Sequence, residues 1–202
     1  MAGWFPRPPL WGVMAALALL APGAAAGGSR YDIDQRYGSI GFSVRELGLF
    51  SEQGRFQRFA GQLAIDPARP EATKIDVHID VGSVTMPSEQ AVQMLLSPAY
   101  FDARTYPGIN FRSTSVVATG PDRYRILGVM EIRGISHPQA LEASLDAAKD
   151  DPQSGLRTEY FTVTGKLHRS DFGMTANQNF VGDVVHLMIH IHLILPALQH
   201  AG

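Results

Sequence analysis

Eight stretches of this chain alternate apolar and polar residues with a period of two, which leaves few folds open to it. Ile40, Phe42 and Val44 alternate with Ser39, Gly41, Ser43 and Arg45. The pattern returns over 59–65, 75–81, 109–112, 124–132, 141–145, 161–167 and 185–193. Successive side chains of a strand point to opposite faces, so each stretch reads as a strand with one dry and one wet face. Turn signals separate many of them: Asp66-Pro67, Gly120-Pro121-Asp122, His137-Pro138, Asp151-Pro152 through Gly155, and Gly182-Asp183. One segment reads as helix. Ser88 is its N-cap, Ala91 to Leu96 its body, and Ser97-Pro98 its stop. The expected fold is all-β: an eight-stranded antiparallel barrel with one short helix near the mouth. Closure removes exposed strand edges, although a sandwich gives a similar pattern. A barrel of eight strands is either filled by side chains or holds one ligand. Gly61, Gly128, Ala143 and Gly165 fall at inward places, and small inward residues favour a lined cavity.

The 202 residues suit one domain plus a targeting segment. Arg7 gives a weakly basic start, and 10–20 is apolar except for Gly12. Pro22 and Gly23 lead to Ala24, Ala25 and Ala26, which fit the small-residue rule for signal peptidase. Residues 1–26 are therefore expected to be a signal peptide and 27–202 the mature domain. The net charge of -2, with no Lys/Arg run, offers nothing to nucleic acid. The absence of cysteine excludes disulfides, thiolate catalysis and Fe–S clusters.

Several blocks carry a resemblance that spans 31 to about 194. Tyr31-Asp32-Ile33-Asp34 is followed by Ser39-Ile40-Gly41-Phe42-Ser43-Val44, Gly54-Arg55-Phe56 and Phe59-Ala60-Gly61. The most specific block is Ser97-Pro98-Ala99-Tyr100-Phe101-Asp102, with Tyr106-Pro107 and Phe111-Arg112-Ser113-Thr114 behind it. Ile132-Arg133-Gly134-Ile135, Arg169-Ser170-Asp171-Phe172-Gly173-Met174 and Val181-Gly182-Asp183-Val184-Val185 complete the series. In this order and spacing the chain resembles the polyisoprenoid-binding YceI-like family. The resemblance implies a lipocalin-like barrel in the periplasm that holds a polyisoprenoid, an isoprenoid quinone or a similar long-chain lipid. It implies no cofactor beyond that ligand, a homodimer, and transient contact with a membrane or membrane protein. The chain departs from the family over Met86 to Leu96, which is more apolar than in relatives and implies a greasier mouth or a partner surface.

On this reading the tunnel is lined by Ile40, Phe42, Leu63, Ile65, Ile75, Val77, Ile79, Ile109, Phe111, Ile126, Met130, Ile132, Phe161, Val163, Leu167, Leu187, Ile189 and Ile191. The mouth is expected at Phe50, Met94, Phe101, Tyr106 and Phe172, with the helix as its gate. A buried CH₂ is worth about 0.8 kcal/mol in transfer. A lipid of about 40 carbons, at roughly 0.3 kcal/mol per heavy atom, would bind at about 12 kcal/mol without a charged anchor. Arg169 and Asp171 are expected to hold a local turn through a side-chain network, with Gly173 permitting a tight backbone.

Two other readings stay open. His186, His190 and His192 share one face of the last strand, a spacing compatible with zinc or copper, but no Asp, Glu or Cys lies beside them in that strand to complete the shell. A ligand-free module could instead dock through the apolar helix. Enzyme chemistry is not expected: there is no G-x-S-x-G, H-E-x-x-H, phosphate loop or G-x-G-x-x-G.

Overall fold

The computed structural model describes residues 29–65 and 69–196. The expected signal peptide, 1–26, and the Asp66-Pro67 turn lie outside the described residues. Eleven strands form one antiparallel sheet: β1 (Ser29–Asp34), β2 (Gly38–Glu46), β3 (Phe50–Phe56), β4 (Phe59–Ile65), β5 (Lys74–Asp80), β6 (Val84–Thr85), β7 (Gly108–Gly120), β8 (Arg123–Ile132), β9 (Ile135–Asp151), β10 (Leu156–His168) and β11 (Val181–Pro196). Their order is β1-β4-β5-β7-β8-β9-β10-β11-β2-β3-β6. The 3₁₀ turn Gln35–Tyr37 joins β1, which pairs with β4, to β2, which pairs with β11. One bent segment thus serves both margins of the run from β4 to β11, and the sheet curls into a half-barrel.

The eight expected strands are present, but the count is corrected to eleven by β1, β3 and β6. These three are short of alternating apolar residues. β3 reads Phe-Ser-Glu-Gln-Gly-Arg-Phe, apolar only at its ends, and is held by its ladder to β2. Two expected turns are also corrected. Pro138 lies inside β9, opposite Val129 of β8. On its other side β9 pairs with β10 only from Leu141 onward, so Pro138 occupies an edge where a missing N–H is tolerated. Gly182-Asp183 lies within β11 at a shift of register between Val181 and Val185.

The single α-helix, α1 (Glu89–Leu96), is capped as its sequence requires. The Ser88 hydroxyl accepts from the Ala91 N–H, and the Ser97 N–H closes on the Met94 carbonyl. The stretch 81–107, including α1, runs from the end of β5 to the start of β7, so it covers one end of the curled sheet. The 3₁₀ turn Arg169–Phe172 covers the same end, between β10 and β11. There Phe101, Ile109, Ile132, Leu167, Phe172 and Met174 are buried in the core, and Val92, Leu95 and Leu96 of α1 pack against it. This end is filled solid.

The run 169–174 is a structural knot rather than an Arg–Asp pair. The buried Arg169 guanidinium donates to the carbonyls of Met174 (2.7 Å), Val181 (2.9 Å) and Gly182 (3.0 Å) and lies over the Tyr100 ring. Asp183 accepts from the Ser170 amide and hydroxyl and pairs with His168. Asp171 faces His137 instead, 3.7 Å away, which corrects the expected Arg169–Asp171 network. Gly173 has φ +72°, where a side chain would be strained, as expected for the tight backbone there.

Candidate functional site

The half of the sheet farther from α1 encloses a cavity of about 340 Å³. Its wall draws on nine strands. Ile33 comes from β1, Ile40 from β2, Phe59, Leu63 and Ile65 from β4, and Ile75, Val77 and Ile79 from β5. Phe111 and Val116 of β7, Tyr124, Ile126 and Met130 of β8, and Leu141 and Ala143 of β9 continue it. Glu159, Phe161 and Val163 of β10 and Ile189, Ile191 and Leu193 of β11 complete the ring. The register explains the convergence: Phe161 and Val163 stand opposite Ile191 and Ile189 across one ladder and opposite Leu145 and Ala143 across the other.

Thirteen of the expected lining residues meet in this wall: Ile40, Leu63, Ile65, Ile75, Val77, Ile79, Phe111, Ile126, Met130, Phe161, Val163, Ile189 and Ile191. Five do not. Ile109, Ile132 and Leu167 are buried in the filled end. Phe42 packs on Phe56, ring centroids 5.5 Å apart, and Leu187 packs against the core. The residues of the expected mouth stand apart from this cavity. None of Phe50, Met94, Phe101, Tyr106 and Phe172 lines the cavity, and neither does any residue of α1. Phe50 and Met94 are exposed, Phe101 and Phe172 are buried, and Tyr106 lies against Gly134. The helix is therefore at the other end of the sheet from this cavity.

The inward glycines do not make the room. A Cβ on Gly61 would meet the Asp76 carbonyl at 2.5 Å, and one on Gly165 would meet Leu141 at 2.5 Å. One on Gly128 would strike the Phe111 ring at 2.6 Å, beside the bulge that interrupts β7 at 113–115. These glycines admit neighbouring side chains; of the four small residues only Ala143 lines the hollow.

Alternation missed several wall residues. Val116 shares a face with Phe111 although five positions separate them, because the bulge changes the phase. Glu159 lies two residues before Phe161 on the inward face, so its place was readable once charge was set aside. Thr73 precedes β5 and carries no periodic signal. Glu159 is held by Arg157, whose Nε donates to it at 2.9 Å while Nη1 reaches Asp150 at 3.2 Å. Its hydrogen bonds to Glu159 and then Asp150 raise the Arg157 pKa further above its ordinary value, so it stays cationic.

The three histidines of β11 lie on the outer face. His190 Nδ1 donates to the Thr162 hydroxyl (3.1 Å), which donates to Asp146, while His192 rests against the Tyr160 ring. The Thr162 and Ser144 hydroxyls hold the Asp146 carboxyl below its ordinary pKa. Among the described residues no group of three or more His, Cys, Asp and Glu is placed to hold a metal ion.

This architecture has known counterparts. A solved structure of Burkholderia cenocepacia BcnA is similar with a TM-score of 0.69 at 21% identity, covering 80% of this chain and 98% of that one. A polyisoprenoid binding domain from Saccharophagus degradans, implicated in plant cell wall breakdown, is similar with a TM-score of 0.57 at 13% identity, covering 84% and 99%. In sequence the chain is 31% identical to a UPF0312 protein of Photorhabdus laumondii over 176 residues, 87% of this chain and 91% of that one. It is 29% identical to Protein YceI of Salmonella arizonae over 178 residues, 88% and 92%. The model of the YceI-like domain matches residues 31–193, and the chain belongs to that family.

Proposed function

We propose that this protein is an exported carrier or store that holds the apolar chain of an isoprenoid-type lipid in the cavity and carries out no chemistry on it. The observation that carries this reading is the wall itself: nine strands contribute to it, and among the described residues its only polar side-chain groups are Thr73, Glu159 and the Tyr124 hydroxyl. Such a hollow is poor in partners for water and rich in contacts for hydrocarbon. The likeness to a polyisoprenoid binding domain supports the same ligand class. Residues 1–26 then serve as the export signal, and the periplasm is the compartment.

Size sharpens the reading. At about 30 Å³ per water-sized group, the hollow seats on the order of ten such groups. That is at least two isoprene units of an isoprenoid chain. At about 0.8 kcal/mol per CH₂, ten carbons supply roughly 8 kcal/mol, close to micromolar binding. Transfer to and from a membrane or membrane protein then needs no large opening.

Mass spectrometry of an organic extract tests the proposal, using protein purified from its native compartment. The expected result is an isoprenoid-type lipid at near one per chain in the wild type and its loss in Val163→Phe. Lipid-free protein that takes up no prenyl compound in vitro, and instead copurifies with a protein partner, would replace this reading with a docking module.

A further inference from the structure

The outer face of β11 carries a second set of side chains with chemistry to offer. Ile189 and Ile191 point into the cavity, so His186, Met188 and His190 project from the other side of the same strand. All three line one open hollow on the outer surface, together with Ser39, Gly41 and Ser43 of β2. Same-face neighbours on a strand stand about 6.8 Å apart, a span across which an imidazole and a thioether reach a shared ion. Met188 is 54% exposed, and the residue opposite it on β2 is Gly41, which has no side chain to cover the sulfur. His192, next along this face, lies against the Tyr160 ring.

His190 is oriented from behind. Thr162 stands directly opposite it on β10 and gives its one hydroxyl proton to Asp146. The hydroxyl oxygen can then only accept, so the proton shared with His190 at 3.1 Å sits on Nδ1. In the neutral ring this leaves the Nε2 lone pair free, and a partner of this kind is what fixes the tautomer of a metal-ligating histidine. Charge favours the same end of the row: Asp146 lies behind His190, whereas Lys166 stands directly opposite His186. Arg55 and Lys166 also line the hollow, which opposes a divalent ion more than a monovalent one. Zinc further lacks its usual set, since among the described residues no group of three or more His, Cys, Asp and Glu is placed to hold an ion. A thioether is a soft donor and suits Cu(I) or its chemical analogue Ag(I). We infer that Met188 Sδ and His190 Nε2, with His186 as a third donor, form a site for a soft monovalent cation, Cu(I) or Ag(I). The sheet itself separates this site from the cavity, and the site does not depend on the cavity holding a lipid.

Oxygen-free titration with Cu(I) against a chromogenic chelator tests it, with Ag(I) and Zn(II) as parallel probes. The wild type is expected to retain a single Cu(I), whose X-ray absorption spectrum shows a sulfur neighbour, and to prefer both soft ions to Zn(II). Met188→Leu, an exposed change that keeps the side-chain size, removes the sulfur signal and weakens Cu(I) binding by more than about tenfold, as does His190→Gln. Thr162→Val leaves both donors in place and weakens it by about tenfold, the scale usual for a partner behind a ligating ring. His186→Gln has the smallest effect of the four. No retention of Cu(I), or equal retention by the wild type and Met188→Leu, would overturn the site. Zn(II) held more tightly than Cu(I) would overturn it as well, by making the imidazoles alone the ligands. The cavity reading stands or falls separately, on its own lipid extract.

Discussion

The two ends of the curled sheet are made from the same strands with the same alternation, yet one is hollow and the other is solid. At the α1 end, inward residues such as Ile109, Ile132 and Leu167 are met by Phe101, Phe172 and Met174, all supplied by segments that are not strands. At the far end, inward residues such as Ile75, Val163 and Leu193 face one another across about 340 Å³, and among the described residues the connections contribute only Thr73 to that wall. The strands decide which side chains point inward; the connections decide whether that interior is filled. An eight-residue helix and a four-residue 3₁₀ turn therefore do as much to place the cavity as the whole ladder does.

This contrast can be broken or sharpened by substitution. The largest effect is expected at the solid end. Phe172→Ala, at 1% exposure, should cost about 3–5 kcal/mol in urea unfolding. Phe161→Ala in the cavity wall should cost less than half as much, because one side of that ring already lacks neighbours. Equal losses would mean that the two ends are packed alike. Arg169→Met should cost about 3 kcal/mol, since three carbonyls lose their donor, and Arg169→Lys should not restore it, an ammonium being unable to reach all three in the same geometry. Val163→Phe is expected to weaken prenyl-chain binding at least tenfold while changing stability by no more than about 1 kcal/mol, because it fills space that is empty. The smallest effect concerns acid. Burial would raise the Asp183 pKa, but the Ser170 hydroxyl and amide and His168 outweigh it and hold the carboxyl below its ordinary 3.8. Its stabilising contribution is present above that value and is lost as pH falls through the lower, folded-state pKa. Asp183→Asn should flatten that part of the acid-unfolding curve, whereas an unchanged curve would show that Asp183 is not a determinant.

Much of the architecture was legible because periodicity reports the direction of a side chain. It placed eight strands, the helix with its Ser88 cap, and most of the cavity wall. What it missed follows from physics that periodicity does not carry. β3 pairs through its backbone with little apolar patterning, and Pro138 enters a strand because the neighbouring ladder begins three residues later. The bulge at 113–115 hid Val116 by reversing the phase. Phe101 and Phe172 have the size and hydrophobicity of ligand-contacting residues, and only the fold shows that they stop the bore instead of lining its mouth. Glycines at inward positions resemble empty space in a sequence, but here they receive Phe111, Leu141 and Val77.

The measurement that bears most directly on the hollow end is a crystal structure of the protein as purified from its native compartment, without delipidation. The account predicts continuous chain density between Ile75, Phe161, Val163 and Ile189. Density for a lipid on the outer face or around α1, with the space between those four residues empty or holding water, would contradict it.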